Sequence, residues 1–395
     1  MSTMDHVRYL SEEIGPRGST TPQEADGAKY AARVLDQLGL APITEPFRSA
    51  RSGWRPYALY AAIMLVGCLL FLLGGQQGAI IALVVAAIIF ISVLLELSFR
   101  PNPLRWVLPK GDSQNVWAQV QPREEPQQQV VLMGHVDTHR TPLAFSSSGW
   151  LRLYGILVPL GLVSSILLII LFAVGIFDDG SLWRYLSLPL LLIVLGLFAI
   201  TFQADFTPFA RGANDNATGA AIVLSLSECL SKEPLTNTLV WTVVSGCEEV
   251  GCYGADAFAS SHKQDLDDAY WISIDSVGGR DTVPTYLTKE TFFLTTRSDP
   301  GLIDLADHIA SEKPELGAMP QSFSGAYTES AIGGKHGFRV LPLIALRPDG
   351  GLPEWHRPTD VFDKVESGVV AHTETFLWEL LQKIDKQGKE LHQTS

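Results

Sequence analysis

Five short polar stretches in this chain carry side chains of the kinds that bind divalent metal ions. Each stretch follows an apolar run, at the point where a strand would end and a loop would begin. In chain order they read VVLMGHVDTH, GANDNATG, SGCEEVG, WISIDSVGG and PEWHRPTD. Their nitrogen and oxygen donors form a set that commonly holds two divalent ions: His135, Asp215, one of the pair Glu248 and Glu249, Asp275 and His356. The pattern predicts a two-metal hydrolase with one glutamate left over for proton transfer.

Each of these motifs also has a simpler interpretation when it stands alone. A His-x-Asp such as His135–Asp137 is often a hydrogen-bonded pair, an Asp before a helix is often an N-cap, and a Glu-Glu pair is usually solvated. The ordered set, with each member after a strand-like run, favours metal binding instead. Asp137 lies on the same side of the strand as His135, where its carboxylate can hold the ligating imidazole. His139 is close enough to the first motif to be a candidate substrate contact.

Four nearly uninterrupted apolar runs interrupt the polar stretches. They are Tyr57–Gly74, Ala79–Leu95, Leu153–Phe177 and Trp183–Phe202. Each is about as long as a helix that crosses a hydrocarbon core of roughly 30 Å, and Trp and Tyr residues lie at their ends as in an interfacial belt. Buried core helices of a large soluble protein are the alternative. The tight pairing of the runs favours two transmembrane hairpins inserted into a soluble enzyme.

Positive charge predicts how these hairpins are oriented. Nine basic residues lie on the side that the metal-binding stretches share: Arg48, Arg51, Arg55, Arg100, Arg105, Lys110, Arg140, Arg152 and Arg211. The two hairpin tips carry only Arg184 against Asp178 and Asp179. Because cytoplasmic loops are enriched in Lys and Arg, we expect a multi-pass protein of the plasma membrane with its catalytic domain and both termini in the cytoplasm. The N-terminal segment is polar and charged, so a cleavable signal peptide is not expected.

Length and composition suit one large α/β domain outside the membrane. Of the 395 residues, about 300 remain outside the apolar runs, enough for a sizeable core. The net charge is −13 and no basic stripe is interleaved with aromatics, which argues against nucleic acid as a partner. The four cysteines suggest buried free thiols in a reducing compartment rather than a disulfide framework.

Alternating strand-like and helix-like segments predict the fold class. We expect a three-layer α/β sandwich with a central mixed β-sheet, and four transmembrane helices inserted as two hairpins. The domain outside the membrane would comprise residues 1–52, 101–149 and 204–395, and the hairpins residues 53–100 and 150–203. Strands are predicted at 41–47, 115–120, 129–133, 238–245, 269–274 and 339–346. Helices are predicted at 21–38, 218–230, 254–261, 300–311 and 369–386, with a frayed tail at 386–395.

The quoted motifs resemble metallopeptidase family twenty-eight, the co-catalytic zinc aminopeptidases. The opening segment EEIGPRGSTTPQEADGAKYAARVLDQLGL is similar to the N-terminal helix region of that family. The resemblance implies that His135 and Asp275 bind one ion, that Glu249 and His356 bind the other, and that Asp215 bridges them. It also implies that Glu248 is the general base and that Asp137 holds the imidazole of His135. Two divalent ions, with zinc favoured by the ligand types, are the expected cofactors.

The sequence departs from this family in two places. The stretch between His135 and Asp215 is much longer than usual, because the second hairpin lies there. In addition, SFSGAYTESAIGGKHGF replaces a substrate-side loop that often carries an Asp, and it offers Tyr327, Thr328 and Glu329 instead. Of these, Tyr327 is a candidate for stabilising an oxyanion or lining the pocket, and an ordinary loop tyrosine is the alternative. The gap between Asp275 and His356 is too short to hold a separate lid domain, which argues against the related two-domain aminoacylase-type enzymes.

These features predict a membrane-anchored dinuclear zinc aminopeptidase that removes N-terminal residues of peptides through a metal-activated water. A glutaminyl-cyclase-like acyltransferase with one zinc and a catalytically silent membrane scaffold are the alternatives. The second hairpin leaves the chain just after Asp137. The first precedes strand 115–120, which should run antiparallel to the strand that ends at His135. Both hairpins are therefore expected to leave from the metal-bearing edge, so that hydrophobic or membrane-derived peptides reach the site from the bilayer.

Overall fold

The chain folds into two compact units. The computed structural model describes residues 1–393 and their side chains through residue 387. Unit 1 comprises Met1–Arg51, Lys110–His139 and the described residues from Phe209 onward. Unit 2 comprises Ser52–Pro109 and Arg140–Pro208. All the strands belong to unit 1 and all four long apolar helices belong to unit 2.

Nine strands of the described chain form one sheet in unit 1. The strands are β1 (Ile43–Ala50), β2 (Lys110–Val120), β3 (Gln128–His135), β4 (Thr238–Ser245), β5 (Tyr270–Asp275), β6 (Val283–Thr291), β7 (Thr295–Arg297), β8 (Met319–Ser324) and β9 (Arg339–Leu346). Their order is β1-β2-β4-β3-β5-β9-β6-β7, and β8 pairs with β6. The four central strands β4, β3, β5 and β9 are parallel, while β1, β2 and β6 join the sheet antiparallel. The sheet is therefore mixed, as predicted.

The helices of the described chain fall into short and long groups. In chain order they are α1 (Thr3–Arg8), α2 (Pro22–Gln37), α3 (Arg55–Leu73), α4 (Gly75–Leu97), α5 (Pro103–Val107), α6 (Ser148–Phe177), α7 (Ser181–Ala204), α8 (Thr218–Lys232), α9 (Tyr253–Ser261), α10 (Pro300–Glu312), α11 (Glu329–His336) and α12 (Ser367–Gln393). Of the tail predicted to be frayed, residues up to 393 continue α12, and residues 394–395 lie outside the described residues.

Alternation along the central strands places helices on both faces of the sheet. On β4 and β5, Val240 and Ile272 belong to the large core that also contains residues of α2, α8 and α12. Their neighbours Trp241 and Trp271 instead pack against Phe258 of α9, with ring centroids 6.0 Å from its ring in both cases. Successive strand residues point to opposite faces, so a strand covered on both sides is apolar throughout. The result is the predicted three-layer α/β sandwich.

The directions of the strands bring the polar stretches of the chain to one edge of this sheet. Strand β3 is parallel to β4 and β2 is antiparallel to β4. The start of β2 at Lys110 therefore lies at the same edge as the end of β3 at His135, as expected. Strand β4 lies between the two, however, so β2 and β3 are not sheet neighbours.

Unit 2 consists mainly of the four predicted apolar helices. Helices α3, α4, α6 and α7 are each long and apolar enough to cross a membrane, by length and composition. Their shared interior contains Tyr60, whose hydroxyl donates to Ser165, and the ring pair Phe71–Phe172. Many large apolar side chains point outward; Phe177, for example, is 91% exposed. An apolar outer surface of this kind suits a hydrocarbon environment.

Two features of the chain differ from expectation or were not predicted. The four cysteines are free, but Cys229 is exposed rather than buried because it lies on the outer side of α8. The strands β6, β7 and β8 and the helix α11 add an extension beyond β9 that the sequence did not indicate. In it, β6 pairs antiparallel with β9 and β7, and β8 pairs parallel with β6.

Candidate metal centre

The predicted ligands meet at the carboxyl edge of the parallel strands. His135 ends β3, Asp275 ends β5, and the Glu248–Glu249 pair follows β4. Asp215 comes from the turn before α8, and His356 comes from the loop after β9. Because the carboxyl ends of neighbouring parallel strands open at one edge of a sheet, residues far apart in sequence converge there.

One group of ligands surrounds the imidazole of His135. Its Nε2 atom lies 3.6 Å from Asp215 Oδ1 and 3.7 Å from Asp275 Oδ1. Two ligands of one tetrahedral zinc, each about 2.0–2.2 Å from the metal, are about 3.4 Å apart. The spacing of these three atoms is therefore close to that of a single ion's ligand set.

A second group surrounds the imidazole of His356. Its Nε2 atom lies 3.3 Å from Asp215 Oδ2 and 3.2 Å from Glu249 Oε2. Asp215 thus offers one carboxylate oxygen to each imidazole. This is the placement that a carboxylate needs to bridge two ions about 3.5–4 Å apart.

Burial and charge test whether these residues suit cations. His135 Nε2 and Glu249 Oε1 are buried atoms without a hydrogen-bond partner. Burial raises the pKa values of Glu248 and Glu249 well above the usual range of a glutamate, and neighbouring carboxylates raise them further. Burial alone would also raise the pKa of Asp215, but His356, His135 and Arg17 hold it below its ordinary value. Several buried carboxylates lie close together beside nitrogen and oxygen atoms that have no hydrogen-bond partner. Bound cations would stabilise the charged form of these carboxylates, so the residues fit a pair of metal ions.

Asp137 contacts both the first ligand and the glutamate pair. The Nδ1 atom of His135 lies 3.1 Å from the main-chain oxygen of Asp137 and 3.5 Å from its carboxylate. The carboxylate accepts hydrogen bonds from the main-chain N–H groups of Glu248 and Glu249, at 3.0 and 3.2 Å. The backbone carbonyl of Asp137 is thus the nearer partner of the imidazole, and its side chain holds the loop that carries Glu248.

Glu248 lies beside the His135 group rather than at the bridge. Its Oε2 atom is 3.9 Å from His135 Nε2, and its Oε1 atom accepts a hydrogen bond from the Cys252 thiol at 3.2 Å. The side chain is only 5% exposed. A buried carboxylate next to the candidate ligands has the placement that a general base requires.

Hydrogen bonds to the main chain fix the turn that carries Asp215. Asp360 accepts from the N–H groups of Asn214 and Asp215, at 2.7 and 3.0 Å, and burial raises the pKa of Asp360 to about 7. Asn216 accepts from the N–H groups of Gly219 and Ser276. A Cβ atom at Gly219 would lie 2.1 Å from the carbonyl oxygen of Ile274, so only glycine lets α8 approach β5 this closely.

Left-handed backbone conformations occur next to the ligands. Cys247, Ser276 and His356 have φ angles of 55°, 52° and 53°. Cys247 precedes the glutamate pair, Ser276 follows Asp275, and His356 is itself a candidate ligand. Non-glycine residues in this region carry strain that the surrounding structure must offset, and such strain is concentrated at functional sites.

Arg17 supports the centre without touching a ligand side chain. It is fully buried and donates to the carbonyl oxygens of Val136, Leu10, Gly15, Arg211 and Gly212. Its guanidinium thereby ties the end of β3 to the segment that leads to Asp215. Burial lowers the pKa of Arg17 to about 10, so it stays protonated at neutral pH.

Four supporting residues were not predicted as functional, although each lies in a quoted segment. They are Arg17, Glu24, Glu329 and Asp360. Glu24 accepts from Cys247 N and the Ser113 hydroxyl, and Glu329 accepts from the Ser245 hydroxyl. Burial raises the pKa of Glu24 to about 8 and that of Glu329 to about 7. The only indication of these four residues in the sequence is that they lie within the quoted segments.

Tyr327 lies in the loop between β8 and α11. It is half-buried, and its ring lies edge-on to Phe292 with centroids 5.0 Å apart. This contact fixes the ring on the β6 side of the loop. A role for Tyr327 towards substrate stays a prediction.

Comparison with known proteins shows which peptidase family part of the chain resembles. Residues 201–381 match the model of peptidase family M28. A 64-residue segment is 41% identical to a probable zinc metalloprotease of Leptosphaeria maculans, and the match covers 16% of this chain and 15% of that protein. The predicted resemblance to metallopeptidase family twenty-eight is therefore confirmed.

Solved structures share the fold across nearly the whole chain. A zinc aminopeptidase from Bacillus subtilis is 12% identical, with 97% of this chain and 94% of that chain covered and a TM-score of 0.57. The aminopeptidase of Aneurinibacillus sp. strain AM-1 is 14% identical, covering 96% and 92%, with a TM-score of 0.54. Bacteroides thetaiotaomicron glutaminyl cyclase is 14% identical, covering 96% of each chain, with a TM-score of 0.56. These structures establish the α/β fold class.

Proposed function

We propose that this protein, which is related to peptidase family M28 through residues 201–381, is a membrane-anchored aminopeptidase that uses two zinc ions. The observation that carries the proposal is the position of Asp215. Its two carboxylate oxygens lie 3.6 Å from His135 Nε2 and 3.3 Å from His356 Nε2. A carboxylate between two imidazole-centred ligand groups is suited to bridge two ions.

The ligand roles follow from the two groups of atoms. His135, Asp275 and Asp215 would hold one ion, and His356, Glu249 and Asp215 would hold the other. When bound, such ions polarise a substrate carbonyl and lower the pKa of water. Asp137 keeps the first imidazole oriented through its main-chain oxygen and fixes the Glu248 main chain through its carboxylate.

Glu248 would perform the proton transfers of hydrolysis. Its carboxylate takes a proton from the attacking water as the water oxygen bonds to the scissile carbonyl carbon. It then gives that proton to the leaving amine as the C–N bond breaks. The buried position of Glu248 beside the His135 group suits both steps, because the group must accept a proton and then release it. General base catalysis of this kind contributes about 10²–10⁴-fold.

The second candidate function is acyl transfer of the kind that glutaminyl cyclases catalyse. The fold that the chain shares with solved glutaminyl cyclases supports this candidate. The second ligand group, Glu249 and His356 on Asp215, supports the two-ion hydrolase over this one-zinc alternative. A silent scaffold is disfavoured because every expected ligand is present.

Substrate hydrolysis by the purified full-length chain tests the proposal. We expect cleavage of aminoacyl p-nitroanilides with a free α-amine, no cleavage of their N-acetylated forms, and loss of about 10²–10⁴-fold in kcat for Glu248→Gln. Lys263→Gln is the matched control, because it introduces the same amide side chain at an exposed position outside the candidate ligand set. Its kcat should equal that of the wild type. Cleavage of the acetylated substrates would contradict the aminopeptidase assignment. Cyclisation of N-terminal Gln without peptide cleavage would establish the second candidate.

The membrane part of the proposal rests on the four apolar helices. We assign residues 53–100 and 150–203 to two transmembrane hairpins that interrupt a peptidase domain of residues 1–52, 101–149 and 204–395. The basic residues on the shared side of the hairpins support a plasma-membrane protein with a cytoplasmic catalytic domain. Hydrophobic or membrane-derived peptides are the substrates that such an anchor favours. A preference for Ala over Leu and Phe at the substrate N-terminus in the p-nitroanilide assay would contradict that substrate class.

A further inference from the structure

We infer that His139 is an additional ligand of the ion held by Glu249 and His356. This inference rests on the proposed two-metal function and assigns a residue that the five-ligand set leaves out. One ligand atom from each of His139, Glu249 and His356 can be chosen such that the three atoms all lie within 4.8 Å of one another. Three donors that close together can reach a single ion, about 2.0–2.2 Å from each, once the side chains rotate towards it.

The main chain holds His139 in an extended segment that continues β3. Val136 N donates to Ser245 O, Thr138 N donates to Arg17 O, and Ala210 N donates to His139 O. Alternate residues of an extended segment point to the same side. His139 therefore follows His135 and Asp137 at intervals of two, and all three side chains face the metal centre. Arg17 and Ala210 anchor this segment, so the approach of the imidazole does not depend on a mobile loop.

The imidazole of His139 lies against the ring of His356. The two ring centroids are 3.5 Å apart and the planes differ by 16°. His139 is 8% exposed, and the His356 side chain is 12% exposed. Stacked rings hold their nitrogen lone pairs in nearly parallel planes, so both imidazoles can bind one ion only after one ring tilts out of the stack. The shared ion would lie beside the Glu249 carboxylate, which is 3.2 Å from His356 Nε2.

This ligand would make the two ions unequal. With His139, the ion at His356 has four protein ligands, which are His139, His356, Glu249 and Asp215. Four protein ligands are typical of closed structural zinc sites, whereas three leave a position for water or substrate. The ion at His135 would keep the open position and would be the one at which substrate exchanges. Two imidazoles also favour zinc over manganese or magnesium at the closed site.

Zinc titration of the metal-free full-length protein in detergent tests the inference. The wild type should bind zinc in two steps, and the tighter step should weaken at least about tenfold in His139→Ala, which is about 1.4 kcal/mol. His139→Phe should weaken the same step to a similar extent, because it keeps an aromatic ring against His356 but removes the nitrogen. His308→Ala removes an exposed imidazole of α10 and is the matched control. Circular dichroism confirms that each variant is folded.

Cobalt substitution gives a readout that does not depend on activity. The visible absorption of the first cobalt equivalent should shift in position and intensity in both His139 variants, because the number of nitrogen ligands changes, and should not shift in His308→Ala. Wild-type zinc affinity and an unchanged cobalt spectrum in His139→Phe would overturn the inference and leave His139 as a stacking partner. A wild type that binds one zinc, lost in both His139 variants, would overturn the two-ion function while upholding His139 as a ligand.

Discussion

At the scale of single residues, the thiol of Cys252 donates a hydrogen bond to the Glu248 carboxylate. Cys252 lies four residues beyond Glu248, with a left-handed φ of 52°, and its Sγ atom is 3.2 Å from Glu248 Oε1 and 3.7 Å from Thr328 O. The thiol is fully buried and burial raises its pKa well above the ordinary value, so it stays protonated and able to donate. Its hydrogen bond to Oε1 favours one orientation of the Glu248 side chain.

Removing this thiol should slow the chemical step with little effect on substrate binding. In Cys252→Ala the lost hydrogen bond is worth about 0.5–1.5 kcal/mol, so kcat should fall by up to about tenfold with KM nearly unchanged. Cys252→Ser keeps a donor and should retain most of the wild-type kcat. Cys229→Ala, at an exposed cysteine, is the control for the loss of a thiol. Equal kcat values for the wild type and Cys252→Ala would contradict a role for Cys252 in positioning Glu248.

At the same scale, the sequence predicts ligands better than it predicts their supports. The candidate ligands could be picked out because few residue types bind zinc and because three of them, His135, Glu249 and Asp275, lie at or just after a strand end. The other two are Asp215 and His356. The supporting residues bind main-chain groups that lie far away in sequence; Arg17, for example, reaches Gly212. Any carboxylate or guanidinium can contact a backbone group. Such partners therefore leave no residue-type pattern in the sequence.

Burial decides which elements the sequence predicts. The predicted bounds of β4 and β9 match the structure, because both strands are apolar and nearly wholly buried. The segment of β2 before Asn115 was missed because its polar residues pair with the equally polar end of β1. Strand β8 alternates half-buried and exposed residues and contains a proline, and β7 spans only three residues. Neither carries a clear period-two apolar pattern.

The two helical hairpins have a testable orientation at the element scale. The tips between α3 and α4 and between α6 and α7 carry little positive charge, and Arg184 is paired with Asp179. We expect an impermeant maleimide to label Gln77→Cys and Asp179→Cys in intact expressing cells, in a Cys229→Ala background. Native Cys229, which is exposed in unit 1, should be labelled only after the membrane is permeabilised. Labelling of Cys229 but not of the tips in intact cells would reverse the proposed topology.

At the scale of the whole molecule, acid should destabilise the folded chain through His6. Burial, helped by the charge of the N-terminus, lowers the pKa of His6 to about 4, and its Nδ1 atom lies 2.6 Å from the Tyr30 hydroxyl. The pKa of an unfolded histidine is about 6.5, so between about pH 6.5 and pH 4 the unfolded chain binds more protons than the folded chain. The stability contributed by neutral His6 is thus complete above about pH 6.5 and falls as the pH drops towards 4.

A His6→Phe variant separates this effect from other titrating groups. Its melting temperature in detergent should fall less between pH 7 and pH 4.5 than that of the wild type, although the variant starts lower because it lacks the contact with Tyr30. Circular dichroism during heating measures both slopes. Parallel slopes for the two proteins would show that His6 does not control the acid response.

The zinc content of purified wild type and Glu248→Gln, measured beside their aminopeptidase activity, tests the central claim most directly. Ligand positions at one sheet edge predict about two zinc ions per chain in both proteins, because Glu248 is not a required ligand. Hydrolysis should be present in the wild type and lost by about 10²–10⁴-fold in Glu248→Gln. A wild type that hydrolyses no peptide substrate while binding one zinc, or none, would contradict a two-metal aminopeptidase.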